Sequence, residues 1–128
     1  MPFAAGDTFY LTHATGSTPH LWVLLWGPRG AADSFIAVFL TTRRPYSDPA
    51  CVLNAGDHPF IRHETAVRYN EPVRWTSAAL DGMIVRGQAH RREAMSADVL
   101  DRLRNGFLAS KRTPHAFIEM ARNEYGAE

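Results

Sequence analysis

The chain has 128 residues, 45% of them hydrophobic, and fourteen Lys and Arg against thirteen Asp and Glu give a net charge of +1. That size supports one core and no second domain. Its longest apolar stretch, Leu21 to Trp26, is far short of the ~20 residues that cross a bilayer, and Cys51, as the only cysteine, excludes an internal disulfide or a cysteine-based zinc cluster.

Residues Met1 to Thr12 lack a charged n-region and an apolar h-region, so the expected compartment is the cytoplasm, which the single cysteine also fits. Thr8 to His13 and His20 to Trp26 read as strands joined by a polar loop, a hairpin. Trp22 and Trp26, four apart, are expected on one face of that second strand, in the core, while Trp75 is open between core and a stacking surface. After the Gly27-Pro28-Arg29-Gly30 turn, Ser34 to Thr42 reads as a buried central strand that ends at Arg44-Pro45. A short strand at Cys51 to Leu53 makes Cys51 a buried thiol rather than a nucleophile, and Ala55-Gly56-Asp57-His58-Pro59 reads as a turn.

The stretch from Ala66 to Trp75 alternates as one strand, bulged or placed at an edge by Pro72. Ser77 is expected to cap a short turn through Leu80, with Met83 to Arg86 as a last small strand. Ser96 then caps a helix bearing Val99, Leu100, Leu103, Phe107 and Leu108, and Thr113-Pro114 opens a second helix with Phe117, Ile118 and Ala121. Short antiparallel strands followed by helices give an α+β domain over residues 1–128: a small barrel or bent sheet over about 6–95 and a helical tail over about 96–125. Residues Lys111 to Glu128 carry a modest apolar face that docks on the barrel or on a second copy.

Chemistry-bearing groups concentrate in two stretches. Phe39 to Pro45 closes an apolar run with Thr41, Thr42, Arg43 and Arg44, and Leu53 to His63 carries Asp57, His58, Arg62 and His63 around a glycine turn. Arginine outnumbers lysine thirteen to one, and eight arginines stand against five acids between Arg43 and Arg92. Such a local excess attracts phosphates, which guanidinium forks bind bidentately. Metal-free RNA cleavage needs a base for the 2′-hydroxyl, an acid for the leaving oxygen and donors on the phosphate. His58 and His63 are the natural acid/base pair, Arg43 and Arg44 the phosphate clamp, and Thr41 or Thr42 a donor to a nonbridging oxygen. Asp57 orients a histidine or, more simply, caps the turn, and Arg62 and His20 are binding residues. His13, His90 and His115 read as surface or structural.

The order of elements resembles the MazF/PemK/Kid family of toxin ribonucleases. The matching points are the Gly6-Asp7 opening of the first strand, the His20 to Leu25 strand, the Phe35 to Thr42 strand ending in threonine, and Ser77-Ala78-Ala79-Leu80 before a short strand and helix. The resemblance covers about Gly6 to Phe107 and implies an SH3-like barrel with a C-terminal helix. It also implies a homodimeric, metal-independent endoribonuclease for single-stranded RNA, without cofactor, neutralised by an antitoxin laid over a basic groove. Thr41 or Thr42 matches the family's threonine at the end of the third strand. The family's basic residue of the first loop has no counterpart, since residues 13–19 contain no arginine, and His13, His20, Arg43 or Arg44 would take its part. The Gly56 to Ile61 stretch also lies outside the family pattern.

Two other readings use the same residues. One is a non-catalytic module in which Arg43, Arg44 and Arg62 hold nucleic acid or an acidic protein. The other is a metal-dependent hydrolase in which Asp57, His58 and His63, joined by His20, supply the ligands.

Overall fold

A computed structural model describes residues 2–12 and 19–128. Seven strands and three helices follow in the order β1 (Thr8–Leu11), β2 (His20–Arg29), β3 (Ser34–Thr42), β4 (Val52–Leu53), β5 (Thr65–Val67), β6 (Val73–Thr76), α1 (Ser77–Val85), β7 (Ala89–Arg92), α2 (Ala97–Ala109) and α3 (His115–Glu124). The sheet runs β4-β5-β3-β2-β1-β7, and its pairings are antiparallel. This is the expected α+β class. The order is open, however, and among the described residues no pairing joins β7 back to β4, so the sheet is not a closed barrel. No helix among the described residues is long and apolar enough to cross a membrane.

The hub is β3, whose alternating side chains feed both faces of the sheet. Ile36, Val38 and Leu40 enter a core covered by α2 and α3, while Phe35, Ala37 and Phe39 enter a second core around Leu80 of α1, Phe3 and Phe9. Its first half pairs β6 and its last three residues pair β5. The stretch read as one strand from Ala66 to Trp75 is therefore two. Between them Arg68 and Glu71 form an ion pair across a turn, and Pro72 has no N–H to offer a ladder.

A β-bulge in β2 overturns the shared face expected for Trp22 and Trp26. Leu24 pairs Ala37 and Trp26 pairs Ile36, so Leu25 is the extra residue and the side-chain alternation slips by one. Trp22 packs against Phe39 and Trp75, with ring centroids 4.8 and 4.7 Å away, in one core; Trp26 meets Phe107 edge-on at 5.2 Å in the other. Trp75 is thus a partly buried core neighbour. Gly27, which follows Trp26, has φ +132°, and a Cβ there would overlap the Phe35 ring and the Ser34 carbonyl.

Two further expectations change at the helices. Residues Met83 to Arg86 are not a strand, because Thr76 rather than Ser77 accepts the Ala79 amide at 3.1 Å and α1 runs on to Val85. The last strand is β7, on the sheet edge beside β1. Ser96 does cap α2, accepting from Val99 at 3.2 Å, and Val99, Leu103 and Phe107 face the sheet. Thr113 does not cap α3; its hydroxyl donates to the Phe107 carbonyl at 2.7 Å, closing α2 instead, and Pro114 takes the cap position. Tyr69, fully buried, donates to the Leu103 carbonyl at 2.7 Å and pins the turn after β5 to α2. Burial also pushes the Tyr69 hydroxyl and the Cys51 thiol to higher pKa, which suits the inert, buried Cys51 read from the sequence.

Candidate functional site

A cleft of about 770 Å³ opens where β3 leaves the sheet. Leu21, Leu40 and Val67, neighbours across β2, β3 and β5, are among the apolar residues lining it. Around them stand Thr41, Thr42 and Arg44 from the end of β3, Arg62 and His63 from the segment before β5, and His20 from the start of β2. Six of the nine site residues read from the sequence therefore share one wall system. The cleft also holds Tyr10, Tyr46, Phe60, Arg68 and Arg112, none of which the sequence reading had placed in a site.

Each rim is held by short polar contacts. The Ser47 hydroxyl accepts from the Arg44 amide at 2.8 Å and the Ser47 amide returns to the Arg44 carbonyl, so the chain turns sharply past Pro45. Arg112, from the α2–α3 connection, donates to the Tyr46 carbonyl at 3.0 Å. Buried Asp48 accepts from the Ser110 hydroxyl and from the Ala50 amide, tying the same rim to the end of α2. Four arginines line the cleft against the single carboxylate Asp48. Arg68 is ion-paired with Glu71, and Arg44 and Arg62 have no side-chain ion pair or hydrogen bond among the described residues.

The turn at 54–61 is structural. Asp57 accepts from the Asn54 amide at 2.7 Å and pairs with Arg102 at 3.2 Å. The Asn54 amide above all, with Arg102, holds its carboxyl below the usual carboxylate range, against the smaller opposing effect of burial. Asp57 is thus the turn cap, outside the cleft. His58 is 2% exposed; its Nδ1 accepts from the Phe60 amide at 3.0 Å, which leaves the proton on Nε2, donated to the Glu93 carbonyl beside Thr8. Both ring nitrogens are occupied inside the protein, so His58 cannot serve as the acid/base partner of His63. It holds the Phe60 amide, and Arg62 and His63 beyond it are exposed. Arg43 also falls outside the cleft, in an exposed ion pair with Glu64 at 3.0 Å.

The two imidazoles of the cleft are therefore His20 and His63. His63 Nδ1 contacts the Glu64 carbonyl at 3.1 Å and His20 Nδ1 the Leu40 carbonyl at 3.1 Å. A carbonyl only accepts, so both neutral rings carry N–H at Nδ1 and the lone pair at Nε2. The ligand set that a metal-dependent hydrolase would need does not assemble: Asp57 faces Arg102, His58 faces Glu93, and among the described residues no three His, Cys, Asp or Glu group at metal-binding spacing. His13, a possible stand-in for the first-loop base, lies outside the described residues.

Positive charge, hydroxyl donors, two imidazoles and aromatic faces in one open cleft suit a phosphodiester flanked by unpaired bases. Comparison of the chain with protein-family models, with curated proteins and with solved structures returns no match.

Proposed function

We propose that the chain is an endoribonuclease that cleaves single-stranded RNA without a metal, in the cleft at the end of β3. The observation that carries this reading is the gathering of Thr41, Thr42, Arg44, Arg62, His20 and His63 around one cavity. Arg44 and Arg62 grip the phosphate, and a threonine hydroxyl donates to a nonbridging oxygen as charge develops. His63, the exposed imidazole with its lone pair on Nε2, takes the 2′-hydroxyl proton. The 2′-oxygen then attacks phosphorus, a cyclic phosphate forms and the 5′-oxygen leaves with a proton from His20 in its protonated form. Aromatic side chains around the cleft favour unpaired over duplex RNA.

The hairpin, the strand ending in threonine and the closing helices keep the resemblance to the MazF/PemK/Kid toxins as the family reading. With it come an opened form of the SH3-like barrel, a homodimer, a cytoplasmic location and an antitoxin whose acidic segment covers the arginines of the cleft.

The test is incubation of purified protein with mixed-sequence single-stranded RNA in EDTA, comparing the wild type with His63→Ala, His20→Ala and Arg62→Gln. Cleavage that survives EDTA and falls roughly 10²- to 10⁴-fold in the histidine variants is the expected result. Binding with no turnover under any condition would replace the nuclease with a non-catalytic RNA-binding module, and cleavage lost in EDTA would overturn the metal-free mechanism.

A further inference from the structure

Beside the phosphate-binding residues the cleft carries an aromatic pair that the chemistry above uses only as a general preference for unpaired RNA. Tyr10 of β1 and Phe60 stand with ring centroids 4.8 Å apart, tilted by 47°. Phe60 is 39% exposed, an apolar ring left in water at the end of a rigid turn. Its position is fixed from below, since the buried His58 holds the Phe60 amide. Arg92 of β7 leans over both rings, its guanidinium carbon 5.4 Å from the Phe60 centroid and 5.9 Å from that of Tyr10. Among the described residues the Arg92 guanidinium has no carboxylate partner and no side-chain hydrogen bond. Its neighbour Arg91, by contrast, is ion-paired with Asp7.

We propose that Tyr10, Phe60 and Arg92 form a nucleobase subsite, which extends the RNA path from the phosphate clamp across β1 to the edge strand β7. An unpaired base next to the bound phosphate stacks on the Phe60 and Tyr10 rings, and the Arg92 guanidinium takes the following phosphate or stacks on the outer face of that base. The inference rests on the RNA reading of the cleft. Three physical points support it. Aromatic rings give every base a stacking face, so the subsite accepts sequence loosely. A cation held against rings keeps its charge uncompensated, unlike one paired with a carboxylate, and is available to a phosphate. The pair also borders the cleft directly, because both rings line it. An acidic peptide would use the arginines but leave the two rings uncovered.

The test is fluorescence anisotropy with labelled 2′-O-methyl oligouridylates, which lack the reactive hydroxyl, as a dinucleotide and as an octanucleotide. The proteins are the wild type, Phe60→Leu, Phe60→Tyr, Arg92→Gln and Arg62→Gln, each checked for an unchanged thermal midpoint. Phe60→Leu is expected to weaken both the dinucleotide and the octanucleotide about tenfold, with Phe60→Tyr binding as the wild type does. Arg92→Gln is expected to lower the slope of log affinity against log salt by about 0.7 on the octanucleotide alone. If Arg62→Gln weakens binding while Phe60→Leu does not, the subsite is overturned and the cleft stands. If the wild type binds neither oligonucleotide, the cleft reading falls and the subsite with it.

Discussion

The Phe60 amide donates to His58 Nδ1 at 3.0 Å, and that bond, on a ring only 2% exposed, sets His58 apart from the exposed His63 of the same loop. His58→Ala leaves the Phe60 amide without its acceptor and opens a void, for an expected loss of about 2 kcal/mol in the urea-unfolding free energy. His63→Ala, on the exposed side, is expected to leave that free energy within about 0.5 kcal/mol of wild type while removing the proposed base. Measuring both quantities on both variants separates structure from chemistry. Asp57 carries a pH signature of its own. Its folded pKa lies below the unfolded value of about 3.9, so its stabilisation is full above that pH and is lost as pH falls through the folded value. Asp57→Asn is therefore expected to be less stable than wild type at neutral pH, with the gap closing in thermal melts as pH falls below the unfolded value and through the lower folded one.

At the scale of elements, the sequence made the hairpin, the buried third strand and both C-terminal helices legible, because each has a clean period and a stop signal such as Arg44-Pro45 or a cap such as Ser96. Misread elements had ambiguous local chemistry. Met83 to Val85 is as apolar as a strand, and only the Thr76 cap settles it as helix; Trp26 changes faces through a bulge at Leu25 that no residue type announces. The site was legible as a set of residue types, and six of its nine residues do meet, because Thr41 to Arg44 and Arg62 to Thr65 flank the same β3–β5 pairing. Arg112 and Tyr10 could not be read, since they arrive through tertiary packing. That packing is tight where α2 crosses the sheet: a Cβ on Gly106 would run into the Tyr69 hydroxyl and come within 2.9 Å of the Cys51 Cβ. Gly106→Ala is expected to cost roughly 1–3 kcal/mol by thermal or urea unfolding, despite the better helix propensity of alanine.

Across the whole molecule a net charge of +1 hides a separation of charge. Several acids are used up in ion pairs, Glu64 with Arg43, Glu71 with Arg68, Asp7 with Arg91 and Asp57 with Arg102, while Arg44 and Arg62 stay uncompensated in the cleft. RNA affinity should accordingly fall with salt, with a slope of log affinity against log salt of about −2 if Arg44, Arg62 and Arg92 each neutralise one phosphate. Titration of a noncleavable oligonucleotide at increasing potassium chloride checks this, and a flat response would remove the arginines from recognition. The most direct test of a metal-free nuclease is the chemistry of its products. An oligoribonucleotide and its counterpart lacking one 2′-hydroxyl are incubated with the protein in EDTA and the ends identified by mass spectrometry. A 2′,3′-cyclic phosphate at every cut, with no cut at the deoxy position, is the predicted result, whereas cleavage at the deoxy position or none in EDTA would contradict it.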